Sequence, residues 1–168
     1  QKEAEGKEFD VLKYDGMRAF KTGETAFAIE CFRHALRLQE DLEVRDYLSQ
    51  ALIQSNELLK AYDELQKLAD AEPDNIQIVI RMAHVAYMME NYTVMGDACE
   101  RGKLLDKDNV DINYLYARAC LGMGDLVNTI AMLTKTISLD EDYVSAYQLR
   151  GETLLKIGDV EGADADVA

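Results

Sequence analysis

Residues 110–140, VDINYLYARACLGMGDLVNTIAMLTKTISLD, read as a helix, a Gly-Asp turn and a second helix. The turn, Gly124-Asp125, has four counterparts in the chain: Gly23-Glu24, Asn56-Glu57, Glu90-Asn91 and Gly158-Asp159. Counted between the first residues of successive pairs, the steps are 33, 34, 34 and 34. An independent column of small residues, Gly16, Ser49, Ala83, Ala117 and Gly151, keeps the same steps. Two columns locked to one period establish a repeat, and a period of 34 built from paired helices is that of a solenoid.

Working outward from residues 110–140, the same pattern predicts helix pairs along the whole chain. They are Phe9 to Lys21 with Thr25 to Leu38, and Glu43 to Ser55 with Leu58 to Ala71. Ile76 to Met89 pairs with Tyr92 to Leu105, and Val110 to Met123 with Leu126 to Leu139. A fifth pair opens with Val144 to Ile157 and continues from Val160. Each helix is about 20 Å long at 1.5 Å per residue. Helices this short are marginal alone in water and depend on packing. Pro73, the only proline, falls in a link between pairs, where it breaks nothing. The other links, such as Asp106-Lys107-Asp108-Asn109 and Asp140-Glu141-Asp142, are acidic and suit helix N-termini. Residues 1–8 are charged and stand as a leader; 9–168 form the array, in units of about 9–41, 42–75, 76–109, 110–143 and 144–168.

From residue 9 onward the chain resembles the tetratricopeptide-repeat (TPR) family. The resemblance is carried by Gly124-Asp125-Leu126 with Leu133, Ile137, Leu139 and Asp140, and by Ala28-Ile29 with Phe32, Ala35, Leu36 and Leu38. It implies an all-α, right-handed superhelical solenoid of about five helix-turn-helix repeats, the last truncated. The small-residue column matches the place where the family brings its paired helices together. A second column runs Ala28, Ala61, Met95, Thr129 and Ala163; Met95 departs from it and suggests looser packing. Gly96 and Gly102 lie in the same helix, each costing roughly 1 kcal/mol against Ala. Either backbones approach closely there or this is the soft part of the array. The fifth unit stops at Ala168, halfway through its second helix, without the polar capping helix that a solenoid end needs. The expectation is a fragment of a longer protein or a disordered tail.

Composition narrows the partners. Lys and Arg number 18 against 32 Asp and Glu, a net charge of −14. Nucleic acid is disfavoured, since binding it rests on Lys and Arg releasing counterions, and so is an anionic membrane surface. The acidity reads as a solubility device. Cys31, Cys99 and Cys120 have no ligand spacing, fall on faces read as buried, and point to a reducing, cytoplasmic interior. No run of apolar residues is long enough for a membrane span, so no insertion is expected.

No catalysis is signalled, and neither a metal nor a cofactor is expected. No phosphate-binding glycine motif is present. The acidic links lack the spacing of a calcium loop. No second His or Cys stands at ligand spacing from His84. His34, amid Arg33 and Arg37, reads as a surface residue.

The first helices carry the groove-lining positions implied by the resemblance. There Gln50, His84 and Arg118 form a row able to hydrogen-bond a peptide backbone or carboxylate, unless it is merely solvated. Ile80, Tyr87, Met88, Tyr114 and Leu121 supply the apolar and aromatic centre, residue types that dominate interface hot spots. The alternative for Tyr87 and Leu121 is packing between adjacent helices. One TPR subgroup grips chaperone C-termini with Lys, Asn, Asn, Lys and Arg. Here the matching places read Lys13, Met17, Tyr47, Gln77 and Arg81, so that clamp is absent.

The expected function is a non-enzymatic scaffold that binds a protein or peptide, or a partner helix, in its groove. The alternative is a regulatory or substrate-presenting segment of a larger enzyme or of a surface carbohydrate-uptake protein. A monomer or weak dimer is expected, with Leu154, Leu155 and Val160 offering the contact.

Overall fold

The computed structural model describes residues 1–158 and 160–167, with all their side chains except those of residues 160, 161 and 167. Val160 as a contact side chain, and the Asp159 member of the last turn, therefore lie outside the described residues. The described residues form ten helices and no strand: α1 (Lys2–Lys21), α2 (Thr25–Leu38), α3 (Leu42–Gln54), α4 (Leu58–Ala71), α5 (Ile76–Met88), α6 (Tyr92–Leu105), α7 (Val110–Gly122), α8 (Leu126–Leu139), α9 (Val144–Lys156) and α10 (Val160–Val167). Consecutive helices pack on one another within two compact units, Gln1–Pro73 and Asp74–Ala168. First helices also touch the next first helix, α1 with α3 and α5 with α7. Residues 2–8, expected ahead of the first helix, are instead its opening turns. Among the described residues no helix is long and apolar enough to cross a membrane.

The turn column is a column of backbone conformation. Gly23, Asn56, Glu90, Gly124 and Gly158 all have positive φ, from +56° to +87°. Gly adopts this conformation without a Cβ penalty, which is why three of the five positions carry it.

The links have their own logic. Asp41, Asn75 and Asn109 cap α3, α5 and α7, each accepting a backbone N–H with its side chain. Their spacing is again 34 residues, and a cap of this kind is worth about 1 kcal/mol.

In the first unit Phe32, Leu48, Leu52 and Leu65 form a core no more than 2 % exposed. Tyr47 lies 5.7 Å from Phe20 and 5.9 Å from Phe32, ring to ring. Lys13 does not stand free toward a groove. Its Nζ is 3.1 Å from Asp41 and 2.8 Å from Glu43, tying α1 to the start of α3. Arg45 likewise joins Glu40 to Glu64, across α3 and α4.

Both small columns are buried, and the three cysteines are buried free thiols. Burial pushes the Cys99 thiol up to about 12, so it behaves as a small apolar group. Met95, the residue that departs from the second column, is fully buried. Gly102 marks a close approach: a Cβ there would stand 2.6 Å from the Ile112 side chain. Of the two readings open for the glycines of α6, Gly102 takes the close approach, while a Cβ at Gly96 would make only ordinary contact, 3.4 Å from Met123.

Candidate functional site

Within the second unit, α5, α7 and the link before α9 enclose a pocket of about 280 Å³. Ile80, His84 and Tyr87 line it from α5, and Asp111, Tyr114, Leu115 and Arg118 from α7, with Tyr143 closing it from the link. Helical spacing explains the assembly. Residues 80, 84 and 87 recur every three or four positions and so share one face of α5, as 111, 114, 115 and 118 do on α7.

Arg118 is the centre of the arrangement. Its Nε donates to the Tyr114 hydroxyl at 3.1 Å and its Nη1 to the Tyr87 hydroxyl at 3.0 Å. The guanidinium carbon also lies 5.0 Å from the Tyr87 ring centre and 5.5 Å from that of Tyr114, within cation–π range. Burial alone would lower the Arg118 pKa. The Tyr114 hydroxyl and nearby negative charge, including Glu152, outweigh it and raise the pKa, so the cation is permanent.

On the opposite side Tyr143 donates its hydroxyl to Asp111 at 3.2 Å and packs 5.0 Å from Tyr114, ring centre to ring centre. Burial first, then the Asp111 carboxylate, push the Tyr143 phenol well above its usual range, so it keeps its proton. The site thus offers one cation, one carboxylate, an imidazole edge, three phenols and the apolar walls of Ile80 and Leu115. Nothing positive for catalysis is found among the described residues.

Five of the residues expected in the groove meet here: Ile80, His84, Tyr87, Tyr114 and Arg118. The others do not join them. Met88 is exposed on the last turn of α5 but does not line the pocket. Leu121 is half-buried and packs against the core formed by Tyr114, Ala117, Leu133, Ala146 and Leu149. Gln50 is half-buried in α3 of the first unit. Tyr114 itself is only 8 % exposed, a wall under Arg118 rather than a projecting ring.

Tyr143 was missed as a site residue, yet the sequence carries a signal for it. It occupies the column of Asp41, Asn75 and Asn109, where a capping side chain is expected, and α9 has no side-chain cap. One bulky aromatic in a column of caps marks a residue employed elsewhere.

No protein-family model matches the chain, and no curated protein matches it either. Solved structures do. A crystal structure of MamA superposes with a TM-score of 0.85 at 19 % identity, covering 96 % of this chain and 88 % of that one. MamA from Desulfovibrio magneticus RS-1, residues 41 to the end, gives 0.83 at 18 % identity, covering 95 % and 90 %. A further MamA crystal structure gives 0.81 at 20 % identity, covering 90 % of each chain. The chain accordingly has the all-helical fold of paired, consecutively packed helices that these MamA structures share.

Proposed function

We propose that the chain is a non-enzymatic scaffold of tetratricopeptide type, which holds a peptide or partner helix against the first helices of its repeats. The observation that carries this reading is the pocket between α5 and α7, built from Arg118 set between two tyrosines with Ile80 and Leu115 beside them. Arginine and tyrosine in a partly desolvated recess are the residues that dominate binding energy at protein interfaces. The MamA likeness supports a repeat fold and leaves the partner to be identified.

The test is selection of binders from a displayed random-peptide library, followed by affinity measurement on variants. Ile80→Asp and Tyr87→Ala should each weaken the selected peptides at least tenfold. Leu104→Asp, on the exposed face of α6, should not. The reverse outcome, loss with Leu104→Asp and none with the two pocket variants, would place binding elsewhere and end this reading.

A further inference from the structure

We propose that the α5–α7 pocket is a receptor for a single carboxylate side chain, glutamate or aspartate, carried by an otherwise non-acidic segment of the partner. This rests on the scaffold reading above and specifies its chemistry.

The Tyr87 and Tyr114 hydroxyls both accept from Arg118. Each phenol oxygen has a hydrogen of its own, and among the described residues neither hydroxyl has a second partner. What each can still offer the pocket is chiefly that hydrogen. Arg118 donates two of its N–H groups to these phenols, out of the five that a guanidinium carries. Three side chains therefore converge on one space, all as donors and one of them cationic. A donor-only cluster around a fixed positive charge is complementary to an oxyanion, and charge-assisted bonds of this kind are the strong ones.

The surroundings choose among oxyanions. Asp111 lines the same pocket, and Glu152 is near enough to act on Arg118 through space. A second charge on the ligand doubles the attraction to Arg118 and the repulsion from both carboxylates alike, and with one cation against two anions the balance favours the singly charged carboxylate over phosphate. The −14 charge of the whole chain acts the same way at longer range and disfavours a strongly acidic segment.

The walls choose the source. Ile80, Leu115 and the tyrosine ring faces are apolar, and the phenol of the nearly buried Tyr114 lies among them. The methylenes of a glutamate can cross such walls before its carboxylate meets the donors. A chain-terminal carboxylate brings its polar amide against them instead, and burying an unpaired amide is costly.

The experiment is titration of the ¹⁵N-labelled full chain, observed by NMR, with small probes. The first is glutamic acid capped as N-acetyl and N-methylamide, which bears only the side-chain carboxylate. The others are the same capped glutamine, N-acetylalanine with only a terminal carboxylate, and inorganic phosphate. Capped glutamate should shift the signals of Tyr87, Tyr114 and Arg118 saturably, with a Kd on the order of 1 mM for a ligand of this size. Capped glutamine should bind at least tenfold more weakly. Arg118→Gln should remove the glutamate response while the rest of the spectrum stays folded. If that variant does not fold, Arg118→Lys should weaken the response by about threefold or more, since an ammonium lacks the guanidinium fork.

Glutamine equal to glutamate, no saturable shift, or tighter binding of phosphate or N-acetylalanine would each overturn the assignment. A selected peptide that needs Ile80 and Tyr87 yet tolerates Glu→Gln or Asp→Asn at every acidic position would sink this inference and leave the scaffold reading standing.

Discussion

At Glu90 the backbone holds φ at +56°, where the equivalent positions in other turns carry Gly23, Gly124 and Gly158. A side chain in this left-handed region costs roughly 1–2 kcal/mol, part of which Gly returns as extra unfolded-state entropy. Glu90→Gly is therefore expected to stabilise the chain by about 0.5–1 kcal/mol, read as a higher urea midpoint at unchanged m-value. Asn56→Gly should do less, because Asn tolerates the conformation. Gly122 is the opposite case. A Cβ there would stand 2.2 Å from the Tyr92 ring, a rigid neighbour that cannot swing aside cheaply. Gly122→Ala should cost about 1–3 kcal/mol by overpacking, despite the better helix propensity of Ala. Gly6, with nothing within 4 Å of its missing Cβ, is the control; Gly6→Ala should be neutral or mildly stabilising in the same denaturation series.

The start of α3 shows how one residue serves two elements. Asp41 accepts the Val44 N–H at 2.9 Å, capping its helix, and holds Lys13 of α1. Burial pushes the Asp41 carboxyl up. The Val44 bond and the Lys13 cation outweigh that and set it below its ordinary value. Arg45 lowers Glu40 beside it, by hydrogen bond more than burial opposes. A depressed folded pKa gives stability that is present above the unfolded value, about 3.9 for Asp. That stability is lost as pH falls through the folded value. Asp41→Ala is expected to cost about 1–2 kcal/mol at pH 7, and the cost should shrink when urea unfolding is repeated near pH 3. Glu40 is more than half exposed, so solvent screening leaves it a minor share. The same column explains α9, where Tyr143 stands in the capping place and turns to Asp111 and Tyr114 instead.

Across the whole molecule, a net charge of −14 on 168 residues repels itself in the folded state. Raising ionic strength from about 0.01 to 0.15 M shortens the screening length from about 30 to 8 Å. Calorimetry over that range should show the melting temperature rise by about 2–4 °C per kcal/mol of repulsion relieved. The same screening should strengthen any association, for which Leu155 and Ile157, each about half exposed at the end of α9, offer an apolar contact. Sedimentation should find a monomer at low salt and at most a weak dimer at high salt. A tight dimer at low salt, unaffected by Leu155→Glu, would reject that contact.

The amino-acid sequence alone determined the repeat, the helix bounds to within about a residue beyond α1, and the buried columns, because these follow from local causes. Side chains three and four apart share a helix face, Gly tolerates positive φ, and a short polar side chain caps the helix that follows it. Part of the lining of the α5–α7 pocket was legible as well: Ile80, His84, Tyr87, Tyr114 and Arg118 fall on first helices and line it together. Tertiary structure alone decided which of them meet and in what role. Arg118 bonds Tyr87 across 31 positions of sequence, and Tyr143 bonds Asp111 across 32. Lys13 is held by Asp41 across 28, so it serves the fold. Tyr114 became a wall, and Leu121 packs half-buried against the core beside it. A period says which residues share a face. The hydrogen bonds of long side chains depend on rotamers and on the distance between facing helices, to within tenths of an ångström, and no periodicity carries that information.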